Sequence, residues 1–136
     1  MKRLVLGIVM LLMVLSACSS ATSGLTNITW KLVSYGPADK PTPAVPGVET
    51  SLVFEDNGKV SGTMGCNQFG GDYKAKGDQI TFGPLAATLM ACPEPIMNQE
   101  SAALGILSGT VTYKADGSSL TITGADGSVA NFEASK

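Results

Sequence analysis

Apolar and polar positions alternate over most of this chain, the period-2 signature of strands half-buried on a core. In Ile28–Tyr35, the residues Ile28, Trp30 and Leu32 fall on one face. Ser51–Asp56 and Lys59–Met64 are two further β-type runs, separated by Asn57-Gly58. Asn-Gly is the strongest short hairpin signal, because both turn positions need φ > 0. Gln79–Phe82 reads as a strand after the turn Lys76-Gly77-Asp78, and the apolar stretch Leu85–Cys92 is a candidate for another. Three short strands follow at Val111–Lys114, Leu120–Thr123 and Val129–Glu133, with Asp116-Gly117 and Asp126-Gly127 at the turns between them.

One segment breaks the alternation. A helix is expected from about Pro93, with Glu94 or Pro95 in a first turn that tolerates a missing N–H and favours an acid. Met97, Ser101, Leu104 and Leu107/Ser108 form one stripe, with Ile96 and Ala103 beside it. The helix should end near Ser108-Gly109, since glycine is favoured just past a helix end. Gly36–Gly47 carries Pro37, Pro41, Pro43 and Pro46, and so reads as a loop or an extended edge segment. These elements define an α+β, mainly β fold: an antiparallel sheet or partial barrel of about seven to eight strands with one helix packed on it.

The first residues belong to a different kind of segment. Lys2 and Arg3 precede an apolar run, Leu4–Leu15, interrupted only by Gly7. The run is too short for a bilayer core, which needs about 20 apolar residues. A basic start, a short apolar middle and a small-residue end describe a secretory signal. A buried core helix would show a polar face, and this run has none. Leu15-Ser16-Ala17-Cys18 resembles the lipobox of bacterial lipoproteins.

The expected organisation follows from that motif. Residues 1–17 are a cleaved signal peptide, residues 18–26 a lipidated Cys18 with a flexible tether, and residues 27–136 one domain. Ser19–Gly24 is small and polar throughout, as a flexible linker requires. Each buried CH2 of an acyl chain contributes about 0.8 kcal/mol, so about two chains anchor a protein stably. Bacterial lipoproteins carry two or three. Ser19, rather than Asp, follows Cys18, which favours the periplasmic side of the outer membrane in a diderm. In a monoderm the same signal places the protein on the outer face of the cytoplasmic membrane.

Loss of the leader sharpens the charge. Of 9 Lys and Arg, two (Lys2 and Arg3) lie in it, and Arg3 is the sole arginine. The remaining chain sets seven lysines against 11 acidic residues and holds no histidine. Nucleic-acid binding wants clustered Arg or Lys, so it is excluded as an expectation. About 119 mature residues suffice for one domain with a single core, and a monomer is expected.

Candidate chemistry is sparse. Cleavage leaves Cys66 and Cys92 as an even pair, and in an exported protein such a pair oxidises. The loop of about 26 residues would then contribute roughly 3 kcal/mol in the chain-entropy model. The alternatives are buried free thiols or a reactive thiol, and the latter lacks its usual histidine base. Glu55-Asp56-Asn57-Gly58 and Asp116-Gly117 do not have the alternating ligands of a calcium loop. No zinc cluster, phosphate loop or Gly-x-Ser-x-Gly element is present. No catalytic residue, metal ligand or cofactor is therefore expected.

Gly65-Cys66-Asn67-Gln68-Phe69-Gly70-Gly71-Asp72-Tyr73 and Thr88-Leu89-Met90-Ala91-Cys92, with Glu100 in the following helix, resemble the META (HslJ-like) domain family. Trp30-x-Leu32, the hairpin through Gly58 and Val60-Ser61-Gly62, and the apolar Leu120 and Phe132 fit as well. The resemblance spans about residues 25–134. It departs in the proline-rich segment 36–47, and at Leu89, where a basic or polar residue is common. It marks Gly65, Asn67, Thr88, Met90, Ala91 and Glu100 as motif residues, structural or binding. Asn67 is expected to satisfy local backbone groups, as Asn does in turns. Glu100 is expected to cap or bond the Asn67 loop. Family members are often envelope proteins, some lipidated, with links to stress or drug tolerance, and similarity to secretion pilot proteins has been proposed.

The expected function is that of a membrane-anchored, non-enzymatic envelope lipoprotein. It would support envelope integrity or stress and drug tolerance by binding an envelope protein or an apolar surface. The alternative is a small-ligand module with a lipocalin- or pilotin-like pocket for a lipid or apolar peptide, suggested by Leu85–Met90 beside the helix. A solvent-open apolar cavity of roughly a few hundred Å3 would support that alternative, and an interior filled by side chains would count against it.

Overall fold

A computed structural model describes residues 24–135. The signal peptide, Cys18 and the tether residues up to Ser23 lie outside the described residues. Those described form ten strands and one helix: β1 (Thr29–Pro37), β2 (Thr42–Pro43), β3 (Ser51–Phe54), β4 (Lys59–Thr63), β5 (Gln68–Lys76), β6 (Gln79–Phe82), β7 (Ala86–Ala87), α1 (Glu94–Ile106), β8 (Thr110–Asp116), β9 (Ser119–Thr123) and β10 (Ser128–Ala134). Among these residues no helix is long and apolar enough to cross a membrane.

The sheet runs β10-β9-β8-β6-β5-β4-β3-β1, and β1 pairs back onto β10 to close it. The result is an antiparallel barrel of eight strands, with β2 added to β1 and β7 to β5. Closure removes the open edges that a sheet of this size would otherwise present. Inward positions follow the alternation of the sequence. Trp30, Leu52, Phe54, Val60, Ile80, Leu120, Ile122 and Phe132 are almost wholly buried and occupy the interior. Phe54 and Tyr73 meet edge to face with ring centroids 4.9 Å apart, an arrangement that aromatic quadrupoles favour.

The two ends of the barrel differ. At one end the chain enters through Leu25, Thr26 and Asn27. Leu25 is fully buried and its carbonyl accepts the Trp30 indole N–H at 3.1 Å. Thr26 bridges Phe54, and Asn27 donates to Asp56 at 2.6 Å. Hydrogen bonds from Asn27 and then Thr26 hold the Asp56 carboxyl below its usual pKa. Leu25 and Thr26, assigned to the flexible tether on composition, are thus part of the fold. Leu25 belongs to the core cluster and its carbonyl holds the Trp30 indole, so the fold begins before Asn27.

At the other end α1 lies across the opening. The apolar stretch Leu85–Cys92 forms only the two-residue strand β7 rather than a full strand. Gly71 explains the interruption: a Cβ there would lie 2.8 Å from the Pro84 carbonyl oxygen and 2.8 Å from Leu85. The bare backbone of β5 lets residues 84–85 dip toward the core, next to the helix. The proline-rich segment is an edge, not a free loop. Its Thr42 and Pro43 pair with Tyr35 and Ser34, and the Thr50 hydroxyl accepts the Leu32 N–H at 3.0 Å.

The helix itself turns a different face inward from the one predicted. Its buried residues are Gln99, Glu100, Ala103 and Ile106. Ser101 is exposed, and Met97 and Leu104 are only half-buried. Two long polar side chains sit at the centre of the buried face, so hydrophobic periodicity does not mark it.

Close approach of β3 and β4 yields a testable contrast. A Cβ on Gly62 would lie 2.0 Å from the Ser51 carbonyl oxygen, whereas one on Gly70 would meet nothing nearer than 3.6 Å. Gly62→Ala should cost about 3 kcal/mol or more. Gly70→Ala should stay within about 1 kcal/mol of wild type. Urea unfolding followed by circular dichroism measures both.

Candidate functional site

The motif residues converge at the helix-covered end, where four separate segments meet. These are the turn after β4 (Met64–Asn67), the segment Thr88–Cys92, the helix, and the end of the proline-rich loop. Glycine makes the turn: Gly65 has φ +131°, and a Cβ there would lie 2.9 Å from both Ile96 and Val48.

Glu100 is the hub of this meeting, with only 5% of its surface exposed. Its Oε2 accepts the backbone N–H groups of Cys66 at 3.0 Å and Asn67 at 2.6 Å. Its Oε1 accepts the Asn67 side-chain Nδ2–H at 2.6 Å. Asn67 passes the connection outward. Its Oδ1 accepts the Thr88 hydroxyl at 2.9 Å and the Met90 N–H at 2.7 Å. Thr88 then returns to β5: its hydroxyl accepts the Gln68 N–H at 3.2 Å, and its N–H donates to the Gln68 carbonyl at 3.0 Å.

Gln99 does the same work on the other side. Its Nε2 donates to the Met64 carbonyl at 2.8 Å and its Oε1 accepts the Val45 N–H at 2.7 Å. A disulfide joins Cys66 to Cys92, with Cα atoms 6.0 Å apart. Among the described residues, no buried side-chain nitrogen or oxygen lacks a hydrogen-bond partner. Buried polar groups cost heavily when unpaired and little when fully paired, so the cluster is cohesive.

Each expected motif residue can now be placed. Cys66 and Cys92 form the expected disulfide. Glu100 bonds the Asn67 loop, as expected from the family pattern. Asn67 departs from its expected local role, because its side chain reaches residues in two other segments rather than its own turn. Gly65, Thr88 and Met90 act through backbone geometry and one hydroxyl, while Ala91 is exposed. Gln99 and Thr50 were not anticipated. Hydrophobic periodicity places Gln99 off the apolar stripe of the helix and gave no signal for it. Thr50, beside a strand start, carried none.

Hollows lie on the outside of the barrel. A groove of about 580 Å3 runs over β5 and β6 beside Asp72, Lys74 and Thr81. A smaller hollow of about 240 Å3 lies between Leu85 and the helix residues Leu104 and Leu107. Among the described residues no group of His, Cys, Asp and Glu is arranged to hold a metal ion.

The barrel, the covering helix and the Cys66–Asn67–Glu100 connection define a small β-barrel domain of a kind suited to binding. The META domain family model matches residues 23–136, and the chain belongs to that family. Two solved structures share the fold. An NMR structure of a protein from Burkholderia xenovorans is 25% identical, with a TM-score of 0.68, over 82% of this chain and 84% of that one. A second NMR structure is 22% identical, with a TM-score of 0.64, over 80% of this chain and 90% of that one. No curated protein matches the sequence.

The cluster predicts two separable effects on stability. Glu100→Gln sets an amide N–H against a donor at either oxygen position and should cost about 1–3 kcal/mol. Loss of the disulfide in a Cys66→Ser, Cys92→Ser chain should cost about 3 kcal/mol. Thermal unfolding of the purified domain checks both. Mass spectrometry without reductant should find Cys66 linked to Cys92.

Proposed function

We propose that this protein is a lipid-anchored, non-enzymatic component of a bacterial envelope that acts by holding a protein partner. The observation that carries the reading is the saturation of the Glu100 cluster. Asn67, Gln99 and Glu100 spend their side-chain groups on the chain's own backbone and on one another. A general acid or base must reach a proton on a substrate, and these groups face inward to neighbours instead. The cluster is a fastener for the helix-covered end. Support of envelope integrity or of stress and drug tolerance fits such a tethered binding domain.

The leader supplies the rest of the reading. Cys18 at the end of Leu15-Ser16-Ala17 is the acylation site, and the residues up to Gly24 link the lipid to Leu25. A lipocalin-like carrier is less well supported. The barrel interior is occupied by Trp30, Phe54, Leu120, Ile122 and Phe132. The hollow beside Leu85 and Leu104 is small, at about 240 Å3, and the larger hollows, of about 580 and 650 Å3, are open grooves along β5 and β6 beside Lys74 and Thr81 instead of a cavity inside the barrel.

The test is metabolic labelling with an alkyne-bearing palmitate analogue. The wild-type chain should take up label and sediment with membranes. Cys18→Ser should lose the label, and the chain should keep its leader or leave the membrane fraction. Equal labelling of both chains, or a wild-type chain free of membranes, would refute the anchored reading.

A further inference from the structure

The fastened end of the barrel presents an apolar segment to solvent. Residues 84–95 are exposed at Pro84, Ala86, Ala87, Leu89, Met90, Ala91, Pro93 and Pro95, and Glu94 is the one charged residue among them. Leu89 is 100% exposed and Met90 57%, the two most exposed large apolar side chains among the described residues. A lone exposed leucine needs no explanation. This one differs because its backbone is pinned on both sides. Thr88 and Met90 hang from Asn67 Oδ1, Thr88 is paired to Gln68, and Cys92 is bonded to Cys66. Ordering a loop in advance removes an entropic cost of association.

We infer that the Leu89-Met90 tip is a preformed docking element that inserts into a concave, apolar pocket on a folded envelope protein. Three observations single out that occupant. First, the tip lies at the barrel end opposite to where the chain departs toward Cys18. Thr26 and Asn27 sit beside Phe54 and Asp56 at one end of the β3–β4 hairpin, and Cys66 follows β4 at the other. The start of the described chain and the tip therefore lie at opposite ends of the domain. Second, residues 84–98 contain no lysine or arginine and do contain Glu94. An anionic lipid surface attracts basic side chains and repels this segment. Third, Leu89 is wholly exposed with Met90 beside it, and two such projections on facing copies would leave each other's flanks open to solvent. A concave partner encloses Leu89 on all sides, as a buried interface anchor requires. Glu94, and Glu49 next to the Val48 that lies against Gly65, favour a basic rim on that pocket.

The inference rests on the anchored, partner-holding reading for its orientation, and one experiment separates the two. Full-length chains carrying p-benzoylphenylalanine at position 89, or at the exposed Ser118 of the opposite end, are irradiated in cells alongside palmitate labelling. Position 89 should give a discrete protein adduct that position 118 does not, and Met90→Glu in the same chain should abolish it. The adduct should map to apolar residues of a concave site. The purified adduct partner should bind Leu89→Glu at least about tenfold more weakly than wild type, and Leu89→Met nearly as well. Attachment of 89 to lipid, to a second copy of this chain, equally from 118, or to nothing overturns the docking inference, even with Cys18 labelled. The expected adduct without label at Cys18 keeps the docking and overturns the anchored reading.

Discussion

The structure depends on one carboxylate taking three N–H groups. Glu100 accepts two consecutive backbone amides of the Cys66-Asn67 turn and the Asn67 side chain, and it is buried while doing so. Two adjacent amides can point at one oxygen only if the turn bends sharply. Gly65, with φ +131° and side chains pressed against its bare Cα, provides that bend. The helix is held on the barrel by this bonding at the centre of its buried face and by Ala103, Ile106 and Leu107 packed into the core beside it. Charge-assisted hydrogen bonds are roughly twice as strong as neutral ones. The arrangement also demands completeness. Removing one member leaves its neighbours buried without partners, and that penalty exceeds what any single bond contributes.

The strands were legible because their interior is filled by alternate residues of simple chemistry. Trp30 with Leu32, Leu52 with Phe54, and Leu120 with Ile122 each mark an inward face two residues apart. The turns were legible through Asn57-Gly58 and Asp126-Gly127. Barrel closure was not, because the pairing of β1 with β10 joins the two ends of the domain and has no local signal. The helix was legible as a helix and misread as to its face. Hydrophobic periodicity weighs Gln99 and Glu100 as solvent-seeking, whereas the loops around them offer backbone groups that only such side chains can satisfy. Only the family pattern pointed to Glu100, and nothing pointed to Gln99.

The short strand β7 shows the same limit from the opposite side. Leu85–Cys92 is apolar enough to be read as a buried strand, yet most of it is exposed. Burial here is decided by Gly71 and Asn67, which lie elsewhere in sequence. Gly71 admits Leu85 toward the core. Asn67 then captures the chain at Thr88 and Met90 before it can continue along β5.

That capture links the core of the fold to what the surface offers. Loops carry function on rigid scaffolds because the scaffold bears the cost of positioning. Here positioning passes from Glu100 through Asn67 to Met90 in two steps, with Cys66–Cys92 closing the circuit. Conservative changes within the cluster should therefore be felt at Leu89, even though Leu89 touches none of it. A barrel end built only to seal a core would have ended in polar turn residues, as the Asp126-Gly127 turn does. Instead a backbone fastened by Asn67, Gln68 and the disulfide holds a fully exposed leucine, and a segment ordered in advance lowers the entropic cost of any association made there.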